Sequence, residues 1–367
     1  MSSPKVIISG GGTGGHIFPA IAIANALKEI NPSTDILFVG ANGRMEMEKV
    51  PAAGYPIEGL WISGLQRKLT LKNLAFPFKL MSSLMRSGAI INRFQPDVAV
   101  GVGGFASGPL LKMATRKKVP TLIQEQNSYP GITNKLLGGK VKKVCVAYDG
   151  MERFFPKEKI ILTGNPVRKE VVMLEGKRQR ALEHFHLQAD RKTLLVIGGS
   201  LGARSINEAI RPCLETFRQR NIQLIWQTGK NYVEEARVAT AGLEESGIKA
   251  HTFIEKMDYA YAAADLVVSR AGAIAVSELC LTAKPCVLVP FPYAAEDHQT
   301  KNAMALVNHH AALLVKDTDA GEQLGPLVLD LMENDEKRDK LAAQISGLGF
   351  EDSARVIANE VLKLIEE

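Results

Sequence analysis

The chain has few cysteines, and none of them occurs in a metal-binding or redox motif. Zinc sites and disulfide oxidoreductases commonly use Cys-x-x-Cys pairs, and no such pair is present. We therefore expect reduced thiols, with neither a structural metal nor a redox cofactor. The four cysteines are Cys145, Cys213, Cys280 and Cys286.

Long apolar runs are also missing from the sequence. No run reaches the roughly 20 residues that a membrane-spanning helix needs. Residues 1–9 have no apolar stretch behind a basic head, so they predict a first β-strand rather than a signal peptide. Any membrane contact is therefore expected to be peripheral. The net charge is a modest +6, and we expect no nucleic-acid partner.

Acidic residues are absent between Glu58 and Asp97, in a segment rich in lysine and arginine. Treated as a helix, residues 68–93 place apolar side chains on two opposite sides, with cations along one flank. One side is expected to pack on a sheet. The other is either covered by another element or exposed, in which case residues 67–93 would contact an anionic membrane surface. The stripe expected to pack comprises Leu71, Leu74, Phe78, Met81 and Met85, and the opposite stripe comprises Phe76, Leu80 and Leu84.

The acidic residue that completes a dinucleotide-binding site is missing as well. Residues 10–15 satisfy Gly-x-Gly-x-x-Gly after a strand, and such glycines let backbone N–H groups approach an anion. A dinucleotide site also needs an acidic residue about 20 residues further on, where the second strand ends. That strand ends at Gly40-Ala41, which disfavours NAD and FAD. A second glycine turn at 101–104 favours a bulky anionic ligand over a turn without any ligand.

What the sequence does contain is a regular alternation of short β-branched runs and helical patterns. Runs that are apolar on both faces and separated by helices are typical of parallel sheets. A chain of 367 residues exceeds one ordinary core, so two domains are expected. The predicted strands are 6–8, 36–39, 98–100 and 121–123, followed by 194–197, 224–226, 266–268 and 287–289.

The two halves of the chain begin alike. Residues 7–14 and 195–202 each read as a strand, a glycine turn with a hydroxyl residue, and the start of a helix. This predicts an α/β protein of two doubly wound, Rossmann-like domains, 1–165 and 166–352, facing across a cleft. A last helix at about 353–367 could pack on either domain. Ligands of such folds bind outside the carboxyl ends of the strands.

The second half carries a further glycine turn at 269–273, followed by Glu278 in the next helix. A carboxylate at that position can accept two hydrogen bonds from a ribose diol, although an isolated helix carboxylate is commonly just solvated. Asp317-Thr318-Asp319 is the single Asp-x-Asp sequence, and we interpret it as a solvated loop rather than a metal site.

The order and spacing of these motifs resemble the peptidoglycan glycosyltransferases of family 28, over essentially the full length. The resemblance implies the glycosyltransferase B fold and inverting transfer of N-acetylglucosamine from UDP-N-acetylglucosamine to undecaprenyl-pyrophosphoryl-N-acetylmuramoyl-pentapeptide (lipid I). The product would be lipid II, formed at the cytoplasmic face of the bacterial inner membrane. The segments are Gly11-Gly12-Thr13-Gly14-Gly15-His16, Gly101-Val102-Gly103-Gly104-Phe105, Glu125-Gln126-Asn127, Thr163-Gly164-Asn165-Pro166-Val167-Arg168, Gly198-Gly199-Ser200-Leu201-Gly202-Ala203, Ser269-Arg270-Ala271-Gly272-Ala273 and His298-Gln299.

The same resemblance implies which residues bind substrate. The first domain would bind the acceptor and face the membrane, and the second would bind the donor, with Ile254 on uracil and Glu278 on ribose. Many relatives have His where this chain has Gln124, so no base is expected there. In the first domain the implied residues are Thr13, Gly14, Gly15, Asn127 and Arg168, and in the second Ser200, Ile254, Ala273, Ile274, Ala275, Val276, Ser277, Glu278 and Gln299.

Inverting transfer needs a base for the acceptor hydroxyl and positive potential at the leaving diphosphate. His16 is the leading candidate because an imidazole with its ordinary pKa of about 6.5 accepts protons near neutrality. His16 could instead only orient its loop, and Glu125 is then the next candidate. Helix N-termini after the glycine turns and Arg168 would hold the diphosphate. Two other functions remain open: a related enzyme with a different acceptor, and a non-catalytic nucleotide-sugar-binding subunit.

Overall fold

The computed structural model describes residues 3–64, 75–199 and 201–366. The chain forms two compact units, one of residues 1–168 with 351–367 and the other of residues 169–350. The assignment of acceptor binding to the first and donor binding to the second remains a prediction. The strands are β1 (Lys5–Gly10), β2 (Asp35–Ala41), β3 (Ile57–Leu60), β4 (Val98–Gly103), β5 (Thr121–Glu125), β6 (Lys143–Val146), β7 (Ile160–Leu162), β8 (Thr193–Ile197), β9 (Gln223–Gln227), β10 (Ile248–His251), β11 (Leu266–Ser269), β12 (Cys286–Leu288) and β13 (Leu313–Leu314).

The described α-helices connect these strands and cover the faces of the sheets. They are α1 (Gly14–Ile30), α2 (Glu46–Ala52), α3 (Phe76–Phe94), α4 (Ser107–Arg116), α5 (Ile132–Gly138), α6 (Lys169–Val172), α7 (Arg178–Phe185), α8 (Arg204–Ile210), α9 (Leu214–Gln219), α10 (Val233–Thr240), α11 (Met257–Ala263), α12 (Ala273–Leu281), α13 (His298–Val307), α14 (Ala320–Glu333), α15 (Asp335–Ser346) and α16 (Ser353–Glu366).

The first unit is built on a seven-stranded sheet in the order β3-β2-β1-β4-β5-β6-β7. Its strands are parallel, and β4 and β5 are buried along their whole length, as expected for strands covered on both faces. Helices α1 and α16 pack on one face around Ile23 and Val361. Helices α3, α4 and α5 pack on the other around Ile90, Leu110 and Leu137. The last helix therefore belongs to the first unit.

The second unit repeats this plan with a six-stranded parallel sheet in the order β10-β9-β8-β11-β12-β13. Strands β8, β9 and β11 are fully buried. In both sheets the order reverses beside the first strand of the unit, which is where doubly wound folds bind ligands. Both glycine turns that follow these first strands lie at that carboxyl edge.

The predicted fold class is confirmed as two parallel-sheet α/β domains, and every strand predicted from the sequence is present. Strands β3, β7, β10 and β13 were not predicted because they lie toward the sheet edges and are only partly buried, so their apolar pattern is weak. Strand β6 was missed because it is short and begins with Lys143. Among the described residues, no helix is long and apolar enough to cross a membrane.

Candidate functional site

The two glycine turns of the first unit pack backbone against backbone. The Gly11 N–H donates to the Gly103 carbonyl at 3.3 Å. A Cβ atom at Gly104 would lie 2.3 Å from the Gly11 carbonyl oxygen, and Gly104 also has a φ of +89°. A larger residue at Gly104 would therefore force the turns apart. These contacts hold residues 10–16 against the end of β4.

A buried carboxylate occupies the first glycine turn. Glu46 is completely buried, and its Oε2 accepts from the Gly12 N–H at 2.9 Å while its Oε1 accepts from the Ala41 N–H at 3.0 Å. A Cβ atom at Gly11 would lie 2.2 Å from Oε1. The expectation of an anion-binding turn at Gly11 and Gly12 is therefore corrected, because the protein's own Glu46 carboxyl group fills that position. The rest of the motif, Thr13 to His16, begins helix α1.

His16 lies in the first turn of α1, beside Thr13. Its Nδ1 is 3.3 Å from the Thr13 hydroxyl. Its ring packs over Gly103, where an added Cβ would lie 2.6 Å from Cδ2. Two residues further along the helix, the Phe18 ring lies 5.2 Å from the Arg168 guanidinium. The structure thus brings Thr13, His16 and Arg168 to the start of one helix, together with Gly14 and Gly15.

Glu125 is enclosed by its own loop at the end of β5. Its side chain is 2% exposed, and four N–H donors reach it. Burial raises the pKa of Glu125, and these hydrogen bonds oppose the rise. A carboxyl that only accepts hydrogen bonds fits the ionised form. The donors are the backbone and side-chain amides of Asn127 at 3.0 and 3.2 Å, the Gly131 N–H at 3.2 Å and Asn134 Nδ2 at 2.9 Å.

Gln124, where many relatives have His, is buried beside this loop. Its Nε2 donates to Asn165 Oδ1 at 3.0 Å. The Asn165 side chain in turn donates to the Gln126 carbonyl at 3.0 Å. Gln124 therefore connects β5 to the segment 163–168, and its burial fits the expectation that it is not a base.

The second unit contains a cavity of about 610 Å³ at the carboxyl ends of β8, β9 and β11. It is lined on one side by the glycine turn 198–202 and on another by the start of helix α12. Four residues predicted to bind substrate line it: Ile254, Ala275, Glu278 and Gln299.

The other predicted donor residues differ in their surroundings. Ala273 and Ile274 lie at the start of α12, and the Ser277 hydroxyl donates back to the Ala273 carbonyl. The Val276 side chain is buried in the core, so a ligand could meet only its backbone. Ser200 lies outside the described residues.

Glu278 and Ile254 are each fixed by a side chain that the sequence did not single out. The hydroxyl of the buried Tyr261 donates to Glu278 Oε2 at 2.9 Å. The Ile254 N–H donates to Gln227 Oε1 at 2.9 Å. In the sequence, the only signal for Gln227 is that a polar residue ends a buried strand. Tyr261 lies in an apolar helix, and no sequence motif marks it as part of a site.

Gln299 is oriented by the loop that precedes it. Its Oε1 accepts from the Phe291 N–H at 2.9 Å, so its amide nitrogen is the group that can donate into the cavity. His298 bonds the Ala295 carbonyl at 2.6 Å through Nδ1 and does not line the cavity. The two adjacent residues therefore have different roles in this loop.

Asp317 is not the solvated side chain that the sequence suggested. It lines the cavity and forms an ion pair with Arg270, and it also accepts from the Ser205 hydroxyl. Asp317 follows β13, the edge strand that was not predicted, so its position could not be derived from the sequence. No group of three or more potential metal ligands occurs among residues 3–64, 75–199 and 201–366.

Helix α3 exposes the apolar stripe that was expected to pack. Phe78, Met81 and Met85 are 73%, 58% and 65% exposed, so that part of the expectation is wrong. Helix α3 packs instead through Leu80 and small residues, and a Cβ at Gly88 would already lie 3.1 Å from Met113 on α4. The buried residues of α3 are Ser83, Ser87, Gly88, Ile90 and Ile91.

The cations of this region are partly neutralised. Arg86 and Arg93 both pair with Glu58, and the Lys79 ammonium lies 5.7 Å from the Trp61 ring. Residues 65–74 lie outside the described part of the chain, so the placement of Arg67, Lys68, Leu71, Lys72 and Leu74 stays a prediction.

Two parallel α/β units, the second with a cavity bounded by glycine turns and a helix carboxylate, have the architecture of glycosyltransferases of the B fold. The N-terminal domain of glycosyltransferase family 28 matches residues 6–146, and the C-terminal domain of that family matches residues 193–358. The chain belongs to glycosyltransferase family 28.

Similar proteins cover nearly the whole chain. A protein of Phocaeicola vulgatus is 56% identical over 99% of this chain and 97% of its own length. One from Bacteroides thetaiotaomicron is 55% identical over 99% of this chain and 98% of its own. Both are named UDP-N-acetylglucosamine–N-acetylmuramyl-(pentapeptide) pyrophosphoryl-undecaprenol N-acetylglucosamine transferase. The crystal structure of Acinetobacter baumannii MurG matches with a TM-score of 0.79 and 29% identity, covering 98% of this chain and 99% of that one.

The enclosure of Glu125 predicts a cost in stability. Glu125→Gln keeps the shape but turns an amide NH₂ toward N–H donors, so two of them lose their acceptor at about 1–3 kcal/mol each. We expect the melting temperature of the full chain to fall, by about 2–4 °C for each kcal/mol. The exposed Glu152 of the same unit supplies the control, Glu152→Gln. An unchanged melting temperature together with lost turnover would instead favour Glu125 as the base.

Proposed function

We propose that this chain transfers N-acetylglucosamine from UDP-N-acetylglucosamine to undecaprenyl-pyrophosphoryl-N-acetylmuramoyl-pentapeptide. The reaction inverts the α-linked donor to a β-1,4 linkage and yields lipid II for peptidoglycan synthesis. The observation that carries the proposal is the cavity of the second unit, which is lined by Glu278 together with Gly198, Gly199, Leu201 and Gly202. Full-length relatives named for this reaction support it.

The nucleoside half of the donor binds at Glu278 and Ile254. A carboxylate can accept from both hydroxyls of a ribose, and the Tyr261 hydroxyl holds Glu278 in place for that contact. The N–H of Ile254 already donates to Gln227, so its carbonyl is the group that accepts from the uracil ring. Phe253 and Met257, close to Ile254 in the sequence, add apolar lining.

The diphosphate binds where backbone N–H groups begin helix α12. The first N–H groups of a helix have no partner within the helix and carry partial positive charge. Helix α12 has no acidic residue in its first turn and no side-chain cap, so neither a first-turn carboxylate nor a capping side chain occupies these groups. By the family resemblance, Arg168 and Ser200 also help to bind the diphosphate, which is the leaving group.

His16 is the base of the proposed reaction. When Nδ1–H donates to the Thr13 hydroxyl, 3.3 Å away, Nε2 holds the lone pair that removes the acceptor proton. The acceptor oxygen then bonds to C1 of the sugar while the bond from C1 to the diphosphate oxygen breaks, and UDP leaves. The four donors that surround Glu125 favour a structural role for it over proton transfer.

The donor site is tested by UDP binding. Glu278→Ala should weaken UDP binding by about 1–3 kcal/mol, roughly 5- to 150-fold, because hydrogen bonds to a charged group are lost. Titration calorimetry on the full chain measures this, with Glu322→Ala, an exposed helix carboxylate of the same unit, as the control. Equal UDP affinity for Glu278→Ala and the control would contradict the assignment.

The activity is tested by transfer of radiolabelled N-acetylglucosamine to lipid I. The wild type should form lipid II, and His16→Ala should lower turnover by about 10²–10⁴-fold with UDP affinity unchanged, as expected for a lost base. His309→Ala, at an exposed position of the second unit, should keep full turnover. No product from wild type would refute the proposed acceptor, and a loss below tenfold in His16→Ala would remove His16 as the base.

We further propose that the exposed face of α3 places the enzyme on the cytoplasmic face of the inner membrane as a peripheral protein. Phe78, Met81 and Met85 form one exposed apolar stripe on this helix, and the exposed Lys112 and Arg116 lie on the neighbouring helix α4. Apolar side chains beside cations suit the interface of an anionic bilayer. The acceptor is anchored in that bilayer by its undecaprenyl chain.

Vesicle sedimentation tests the membrane contact. Met81→Ser/Met85→Ser should reduce binding to anionic vesicles severalfold, because each buried methylene contributes about 0.8 kcal/mol. The matched control is Met173→Ser in the second unit, since Met173 and Met85 are both 65% exposed. Binding should also weaken at high salt. Leu80 is unsuitable for this test because it packs on the core. Equal binding by both variants would exclude this stripe as the anchor.

A further inference from the structure

Arg270 connects four segments at the carboxyl edge of the second sheet. It directly follows β11, and its side chain is 13% exposed. Nη1 donates to the carbonyls of Val289 and Pro290 at 3.0 and 3.2 Å, and Nη2 donates to the Ser205 hydroxyl at 3.0 Å. Asp317 accepts from both Arg270 and Ser205. One guanidinium therefore joins β11, the segment after β12, helix α8 and the turn after β13.

These contacts direct Nη1 and Nη2 of Arg270 at acceptors of the protein. Its charge is paired with Asp317, and its donors are directed at protein oxygens. A planar guanidinium can hold several acceptors in a fixed geometry, which an ammonium group cannot. What Arg270 fixes is the start of the 289–299 loop. The Phe291 ring lies 5.5 Å from the guanidinium, on the cavity wall.

The 289–299 loop is held in a strained conformation. Glu296 and Asp297 have φ values of +54° and +53°, a region that residues other than glycine adopt at a cost of order 1 kcal/mol each. Such a conformation persists only where the loop is fixed by its surroundings. Arg270 fixes one end, and the Phe291 N–H bond to Gln299 fixes the other. The loop position therefore sets where the Gln299 amide nitrogen enters the cavity.

The nucleoside end of the cavity is held by contacts other than those of the 289–299 loop. Glu278 is held by Tyr261, and Ile254 by Gln227, and neither pair includes the 289–299 loop. A change that loosens this loop would leave ribose and uracil contacts in place. It would displace Gln299, the cavity amide that donates to a ligand hydroxyl.

We propose that Arg270 is a positioning residue that sets the sugar selectivity of the donor site, through the 289–299 loop and Gln299. The inference rests on the proposed function, because it assumes a UDP-sugar in this cavity. Arg270→Lys keeps the positive charge but cannot hold Val289, Pro290 and Ser205 together.

The test compares three ligands by titration calorimetry on the full chain: UDP, UDP-N-acetylglucosamine and its C4 epimer UDP-N-acetylgalactosamine. Arg270→Lys should bind UDP within twofold of wild type and UDP-N-acetylglucosamine about tenfold more weakly, the effect of losing a hydrogen bond or two. Its preference for the glucosamine donor over the epimer should fall at least fivefold. Arg178→Lys is the matched control, since Arg178 also bonds two carbonyls and an aspartate but lies outside the cavity.

The outcomes separate this inference from the proposed function. Wild type that binds none of the three ligands would refute the proposed function. Arg270→Lys with unchanged selectivity, or with equal loss of UDP and UDP-sugar affinity, would refute the positioning role and leave the proposed function standing. If Arg270→Lys does not fold, the test uses Asp317→Asn, which removes the negative charge paired with Arg270. Its preference for UDP-N-acetylglucosamine over UDP-N-acetylgalactosamine is then compared with that of wild type.

Discussion

Backbone N–H groups at the carboxyl edge of each parallel sheet need acceptors, and the two units meet this need differently. In the first unit the acceptors are the protein's own carboxylates, with Glu46 on Gly12 and Ala41, and Glu125 on Asn127 and Gly131. In the second unit the corresponding edge opens into a cavity of about 610 Å³ at the start of helix α12. The first N–H groups of that helix carry partial positive charge, which favours an anionic ligand in the cavity.

The two helix starts therefore differ in what a phosphate would meet. At the first glycine turn it would meet the Glu46 carboxyl group, which already accepts from Gly12, whereas α12 begins without an acidic residue. The first unit uses its rigid turn to hold Thr13 and His16 instead. The ion pair between Arg270 and Asp317 in the second unit adds no net charge to the cavity. In the second unit, positive potential for a diphosphate is therefore left to the backbone dipoles at the start of helix α12.

The sequence predicted the buried strands, the glycine turns and the order of the motifs, because these follow from local pattern. It could not predict Glu46, whose hydrogen-bond partner Gly12 is 34 positions away, or the pairing of Asp317 with Arg270, 47 positions apart. Periodicity correctly indicated two apolar faces on α3 but not which one packs. The packed face carries the small buried residues Ser83, Ser87 and Gly88, and at Gly88 helix α3 lies close to Met113 of α4. Hydrophobicity alone does not reveal that.

Amide hydrogen exchange of the full chain, with and without saturating UDP, tests most directly whether the second unit alone supplies the N–H groups for the donor diphosphate. The account predicts slower exchange at residues 198–205 and 270–278, and no change at Gly11, Gly12, Asn127 and Gly131, whose amides already have carboxyl or carbonyl acceptors. Protection by UDP at Gly11 and Gly12, with none at 270–278, would contradict it.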